Sequence, residues 1–128
     1  MTFVDTNVFM YAVGQAHPRR SQARAFFDEA TRDRRPLVTS AEVVQELMHV
    51  YVRMRRPHTL DSALGLVAGA EVEVWPLEEA DVVLARQLYE QHPTLQARDL
   101  CHLASCQRRG VREIMTFDRA LAAANSTS

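Results

Sequence analysis

The feature that most constrains this chain is the alternation of short β-like runs with longer helical segments. The runs that are rich in apolar or β-branched residues and bounded by polar residues, Pro or Gly lie at residues 2–4, 37–39, 72–75 and 113–116. Apolar residues recur at helical spacing over residues 19–33, 41–55 and 77–90, and again from residue 100 to the break at Gly110. Strands that alternate with helices pair in parallel through right-handed crossovers. The sequence therefore predicts an α/β fold, a three-layer sandwich with a short, mostly parallel sheet of about four strands flanked by helices.

Length and composition limit the chain to one globular domain. It has 128 residues, of which 47% are hydrophobic and 24% charged, and this composition excludes a disordered or fibrous protein. We expect a single domain over residues 1–124 and a frayed polar tail over residues 125–128. No apolar run approaches the roughly 18 residues that span a bilayer, so we expect a cytoplasmic protein without a membrane partner.

The basic residues are unusual in kind but not in number. The net charge is -1, so any nucleic-acid binding must come from local patches. The 15 basic residues are all arginine, whose forked guanidinium suits phosphate groups. A GC-rich coding bias explains the absence of lysine better than a nucleic-acid partner does.

Aspartates occupy helix starts near the ends of predicted strands. Asp5 follows the first strand, Asp118 follows the fourth, and Asp99 opens a late helix. Each of them alone is also an ordinary capping or first-turn residue. The carboxyl ends of parallel strands share one edge of a sheet, so these carboxylates are expected to converge. Converging carboxylates repel one another unless a hard cation lies among them, and the pattern therefore predicts a divalent-metal site.

Two glutamates after the second strand compete for a place in this site. Thr39-Ser40-Ala41-Glu42 matches the capping-box pattern, which gives Glu42 a structural role at the helix start. Glu46 lies between Val43 and Val50 on the helix side expected to face the sheet, where an unpaired carboxylate is costly without a cation. The interpretation therefore takes Glu46 as the better metal ligand.

Four motifs extend over nearly the whole chain. They are Val4-Asp5-Thr6-Asn7, then Thr39-Ser40 followed by Gln45-Glu46-Leu47, then Ala97-Arg98-Asp99-Leu100-Cys101-His102-Leu103-Ala104, and finally Thr116-Phe117-Asp118-Arg119. In this order they resemble the PIN-domain nucleases, specifically the VapC toxins of bacterial toxin–antitoxin pairs. The resemblance implies Mg²⁺- or Mn²⁺-dependent endonuclease activity on RNA. It also implies a homodimer and a cognate antitoxin that covers the active site.

The resemblance also assigns roles to individual residues. Asp5 and Asp99 look like the principal metal ligands, with Glu46 and Asp118 completing the acidic site. The polar groups that look placed to orient those carboxylates are Thr6, Asn7, Ser40 and Thr116. The arginines nearest in sequence to the acids, Arg98 and Arg119, either neutralise the scissile phosphate or form ordinary surface pairs. His102 lies one helical turn from Asp99, and core packing is the favoured interpretation for it.

The chain departs from the family near its carboxyl end. Ala120 and Leu121 stand where members often carry another acid and an aromatic residue, and the polar ending does not favour a final edge strand. Two alternatives stay open. One is a degenerate PIN-like module that binds RNA or protein without cutting. The other is a phosphotransferase with Asp5 as nucleophile. Against it, this chain has no second acid two residues after Asp5 and contains no lysine.

Overall fold

The computed structural model describes residues 1–127, which form a four-stranded sheet and seven helices. In chain order the elements are β1 (Thr2–Val4), α1 (Thr6–Val13), α2 (Pro18–Arg32), β2 (Leu37–Ser40), α3 (Ala41–Arg53), α4 (Pro57–Gly69), β3 (Glu73–Trp75), α5 (Glu79–Tyr89), α6 (Ala97–Arg108), β4 (Glu113–Met115) and α7 (Arg119–Thr127). No helix within these residues is long and apolar enough to cross a membrane.

All strand pairs in the sheet are parallel, and the strand order is β3-β2-β1-β4. The central strand β1 is buried along its length, and Phe3 pairs with Val38 on one side and Ile114 on the other. Parallel pairing brings the carboxyl ends of the four strands to one edge. The predicted α/β fold is confirmed, and that edge is where the site residues lie.

Two apolar cores cover the two faces of the sheet. The larger one contains residues of α1, α2, α3 and α4, among them Phe9, Phe27 and Leu47. The smaller one contains residues of α5, α6 and α7, among them Leu88 and Leu103. Helices on both faces give the expected three-layer arrangement.

A buried carboxylate joins α5 to the end of α6. Asp81 is fully buried, accepts the Glu78 N–H at 2.8 Å, and pairs with Arg108 at 2.6 Å and Arg109 at 3.1 Å. Burial alone would raise the pKa of Asp81, but the N–H and the two guanidinium groups outweigh it and lower the pKa. The group is ionised at neutral pH and ties the two helices together.

The carboxyl end differs from the expectation of a frayed tail over residues 125–128. Helix α7 continues through Thr127, past the predicted domain boundary at residue 124. Asn125 donates its side-chain N–H to the Arg112 carbonyl at 2.9 Å, and the Thr127 hydroxyl bonds to the Ala124 carbonyl at 3.2 Å. These bonds to the chain explain why the polar residues 125–127 stay helical. Ser128 lies outside the described residues.

Candidate active site

Asp5 lies at the carboxyl end of β1, where it is buried and held by two hydrogen bonds. Its Oδ1 accepts the Thr6 N–H at 2.8 Å, and its Oδ2 accepts the Thr116 hydroxyl at 2.7 Å. The first bond makes Asp5 the N-cap of α1. Asp5 therefore has the capping role that the sequence allowed, and it lies at the strand end where a ligand would bind.

The Thr116 hydroxyl connects the end of β1 with the loop after β4. Besides donating to Asp5, it accepts the Asp118 backbone N–H at 3.0 Å and lies 3.5 Å from the Asn7 amide nitrogen. Asn7 in turn accepts the Phe117 N–H at 3.1 Å through its Oδ1. Asn7 and Thr116 thus connect Asp5 with the loop that carries Asp118, and their role in orienting metal ligands stays a prediction.

Asp118 begins the last helix and faces the same edge. Its Oδ1 accepts the Ala120 N–H at 2.9 Å and the Leu121 N–H at 3.1 Å, which is the N-cap arrangement. Both bonds fall on one oxygen, so Oδ2 is not used in the cap. Asp118 therefore caps α7 and keeps a carboxylate oxygen for another partner.

Asp99 lies in the first turn of α6 and is 8% exposed. Its pKa is raised from 3.8 to about 6, chiefly by burial and then by the charges of Asp5 and Asp118, while Arg98 lowers it. The structure therefore brings the three aspartates into one electrostatic neighbourhood. Within residues 1–127, however, no three acidic, His or Cys side chains are already gathered into a complete metal cage.

Glu46 pairs with Arg98, the residue before Asp99 on α6. The Arg98 Nη1 lies 3.3 Å from the Glu46 Oε1, and the Glu46 side chain is 28% exposed. Arg98 thus pairs with the glutamate and also lowers the pKa of Asp99. Arg119, the other candidate for phosphate binding, is exposed at the start of α7.

Glu42 is not part of a capping box, so that prediction is wrong. Ser40, not Thr39, is the N-cap of α3, and its hydroxyl accepts the Val43 N–H at 3.2 Å. Glu42 is therefore at the second helical position and outside a capping box. The pKa of Glu42 is raised overall, chiefly by burial, with a smaller lowering by Arg98 and a further rise from Asp81. The Arg98 charge thus affects Glu42 as well as its partner Glu46. The orienting roles of Ser40 and Thr6 and the choice of Glu46 stay predictions.

His102 is a site neighbour as well as the packing residue that the sequence favoured. Its fully buried ring packs on Phe3 with 5.2 Å between ring centroids, and its Nε2 lies 3.9 Å from the Asp5 Oδ1. Neither ring nitrogen has a hydrogen-bond partner in the described part of the chain. Burial lowers the pKa of His102 to about 4, against the effect of Asp5, so the ring is neutral at neutral pH.

Comparison with known proteins now adds to this geometry. The PIN domain family matches residues 2–126. The chain belongs to the PIN-domain family. This PIN-domain protein is 59% identical over 124 residues to Ribonuclease VapC23 of Mycobacterium tuberculosis, an alignment that covers 97% of this chain and 98% of the relative. The VapC-type ribonuclease assignment from the four motifs is confirmed. Ribonucleases of this family generally use a divalent metal ion.

Solved structures show the same fold. The crystal structure of Mycobacterium tuberculosis VapC20, described as a sarcin-ricin loop cleaving toxin, matches with a TM-score of 0.82 at 18% identity, covering 97% of this PIN-domain protein and 95% of that chain. A toxin–antitoxin complex from Klebsiella pneumoniae matches with a TM-score of 0.67 at 16% identity, covering 92% and 87%. At these identities the likeness concerns the fold alone.

Proposed function

We propose that this PIN-domain ribonuclease is a Mg²⁺- or Mn²⁺-dependent endoribonuclease and the toxin of a toxin–antitoxin pair, acting on RNA in the cytoplasm. The proposal takes Asp5 and Asp99 as the principal metal ligands, with Glu46 and Asp118 completing the acidic site. The observation that carries it is the placement of Asp99, a buried carboxylate whose pKa the charges of Asp5 and Asp118 raise. Such a set of charges costs free energy unless a cation compensates it.

The donor set fits a hard divalent cation. Carboxylate oxygens are the ligands that Mg²⁺ prefers, and Mg²⁺ is commonly held by one or two carboxylates while it keeps several waters. Acids that do not form a complete cage are therefore compatible with Mg²⁺ binding. When bound, the cation polarises a phosphodiester oxygen and lowers the pKa of a coordinated water.

The chain's own groups orient the reactants around that cation. The Thr6 N–H and the Thr116 hydroxyl hold the two oxygens of Asp5 in place, so that Asp5 is preorganised. In this proposal Glu46 or Asp118 orients or deprotonates the attacking water. Arg98, with a 43% exposed side chain beside Glu46, neutralises charge on the scissile phosphate, and exposed Arg119 assists it.

Two partners complete the proposal. A cognate antitoxin covers the site, and support comes from the toxin–antitoxin complex of similar fold. A homodimer is supported by the face of α5, where Val82, Val83 and Tyr89 are each more than 40% exposed beside a cavity of about 320 Å³. Size-exclusion chromatography coupled to light scattering tests whether the protein is a dimer. Co-purification with the product of the neighbouring reading frame tests whether that product is the antitoxin.

The decisive experiment compares cleavage of total RNA by wild type, Asp5→Asn and Asp99→Asn, with Mn²⁺, with Mg²⁺ and with a chelator. We expect both variants and the chelated wild type to lose cleavage. Asp61→Asn, which changes an exposed acid on α4, is the matched control and should cleave like wild type. Cleavage that survives chelation, or that either site variant retains, would refute the proposal.

The same proteins separate the two rival functions. A binding module without activity should show RNA binding but no metal-dependent products. An aspartate-based phosphotransferase should form an acyl phosphate on Asp5 when it is given an acyl phosphate donor, and Asp5→Asn should abolish that label.

A further inference from the structure

Beside the acidic site, three rings and one guanidinium pack together. We call this group the Arg19 cluster, and it consists of Tyr11, His17, Arg19 and Phe117. The Arg19 Cζ lies 5.6 Å from the Tyr11 ring centroid and 5.3 Å from that of Phe117. The Tyr11 ring contacts Phe117 edge-on at 5.3 Å and His17 at 4.7 Å. The guanidinium is therefore held by two aromatic side chains from different parts of the chain.

The Arg19 cluster is continuous with the acidic site. Phe117 lies between Thr116 and Asp118, and its N–H donates to Asn7 at 3.1 Å. Tyr11 is four residues after Asn7 on α1, so both project from the same side of that helix. An RNA strand whose phosphate lies at the aspartates therefore meets these rings at a neighbouring nucleotide.

The charge of Arg19 is available for a ligand. None of the ion pairs in residues 1–127 involves Arg19, and its Nη1 donates a hydrogen bond to the Tyr11 hydroxyl at 3.3 Å. The neighbouring ring of His17 is exposed. A positive group without a carboxylate partner, next to an acidic centre, is suited to an anion that must approach that centre.

A groove of about 620 Å³ extends from the Arg19 cluster. Asn7, Tyr11 and His17 line it on one side, and Tyr51 and Arg56 line it on the other. Its volume is within the roughly 300–1,000 Å³ typical of sites that hold small organic ligands. The groove thus offers room for a nucleotide, and Arg56 adds a positive charge to its lining.

We propose that the Arg19 cluster binds a nucleotide of single-stranded RNA next to the scissile bond, and this rests on the proposed function. Arg19 binds the adjoining phosphate, and a base stacks on the rings at the mouth of the groove. Aromatic stacking tolerates any base because every base has a π-face. A base in an A-form duplex is already stacked and paired, so the site selects single-stranded segments. In this proposal the acidic site cleaves the strand, and the Arg19 cluster positions it.

The test measures binding without turnover. Fluorescence anisotropy is recorded with labelled oligo(U), oligo(A) and the duplex of the two, in Mn²⁺, with every protein carrying Asp99→Asn. Arg19→Ala should weaken single-strand binding about tenfold and reduce the slope of log K against log salt by about 0.7, because one phosphate contact is lost. Arg19→Lys should restore the slope. Arg32→Ala removes an exposed arginine at the other end of α2 and should change neither quantity.

A second variant removes a ring without removing a helix cap. His17 is the N-cap of α2 through its Nδ1, and Asn is also a good N-cap. His17→Asn should therefore leave the melting temperature unchanged, weaken oligo(U) and oligo(A) binding by about fivefold or more, and leave the salt slope unaltered. This outcome distinguishes stacking from charge, and it stands even if an Arg19 variant is unstable.

Three results would overturn the inference. The first is a Kd like that of wild type in both Arg19→Ala and His17→Asn, and the second is duplex binding as tight as single-strand binding. The third is that the variants bind RNA normally but no longer bind a co-expressed protein partner. The last would make the Arg19 cluster a protein-binding surface. Failure of the proposed function is separate, because it would appear as cleavage by Asp5→Asn or Asp99→Asn. Loss of cleavage in those variants, together with unchanged RNA binding in Arg19→Ala and His17→Asn, would reject this inference alone.

Discussion

Replacement of Asp99 by Asn should stabilise the metal-free protein at neutral pH, although it removes a proposed metal ligand. The pKa of Asp99 is raised from 3.8 to about 6 by burial and by two neighbouring aspartates. At about 1.36 kcal/mol for each pKa unit, this difference sets an upper limit of ~3 kcal/mol on the gain. Relaxation of the protein and solvent around the ionised carboxylate reduces this gain, so we expect ~1–2 kcal/mol. The helix-dipole contribution of a first-turn Asp opposes the gain by only ~0.5 kcal/mol.

The direction of the pKa shift fixes the pH window of this effect. The folded protein holds the Asp99 proton at pH values where the unfolded chain has released it. Its contribution to stability is therefore present below pH 3.8 and is lost as the pH rises through about 6. Asn carries no charge at any pH. The advantage of Asp99→Asn should thus be absent near pH 4 and complete above about pH 7.

Thermal and urea unfolding in a chelator, at both ends of this window, measure the effect. A gain of ~1–2 kcal/mol corresponds to a rise of roughly 3–10 °C in Tm for a domain of this size. Added Mn²⁺ should raise the Tm of wild type more than that of the variant, because binding to the folded state alone stabilises it. Asp61→Asn on α4 is the control for removal of one negative charge. A variant less stable than wild type at neutral pH without metal would refute the reasoning and leave Asp99 as a structural first-turn residue.

Three further predictions concern groups around this centre. Thr116→Val removes the hydroxyl that donates to Asp5, and calorimetric titration should show Mn²⁺ affinity reduced about ten- to 100-fold, whereas Thr116→Ser should retain it. Asp81→Asn leaves two arginine partners without their buried acid and should cost ~3 kcal/mol in urea unfolding at unchanged kcat; unaltered stability would contradict the buried ion-pair account. Burial lowers the pKa of His102 to about 4, so the stability of wild type relative to His102→Phe should fall as the pH falls from about 6.5 to 4, whereas the opposite effect of Asp99 is common to both proteins. An identical acid-side profile in both proteins would contradict it.

The sheet could be predicted from the sequence because its strands are short, apolar and regularly separated by helices. Phe3 and Val4 are fully buried in the central strand, where no polar residue interrupts the run. Helix α4 gave a weaker signal, since Gly65 and Gly69 lower its helix propensity and only Ala63 and Val67 are buried. The helical state of residues 125–127 depends on bonds such as that from Asn125 to Arg112, which join distant parts of the chain and leave no local pattern.

The strand-end acids could be predicted for the same reason as the sheet, because parallel order fixes where Asp5 and Asp118 lie. The roles of Thr39 and Ser40 could not, because both residue types cap helices well. In the fold the Thr39 hydroxyl donates to the Val4 carbonyl at 2.7 Å, across the β1–β2 pair, which leaves Ser40 to cap α3. The link from Glu46 through Arg98 to Asp99 is likewise tertiary, since it joins α3 to α6.

Capping and metal binding are compatible roles for a strand-end aspartate, because a carboxylate has about four lone-pair sites and a helix cap occupies one or two of them. Asp118 places both of its capping bonds on Oδ1, and Asp5 accepts one bond on each oxygen, so each retains capacity for a cation. The capping bonds also fix the side-chain rotamer, which holds the remaining lone pairs in place before any ligand arrives. A single residue examined alone therefore cannot decide between the two interpretations. What bears on the choice is whether other acids lie nearby, and for Asp99 the charges of Asp5 and Asp118 add to burial in raising its pKa.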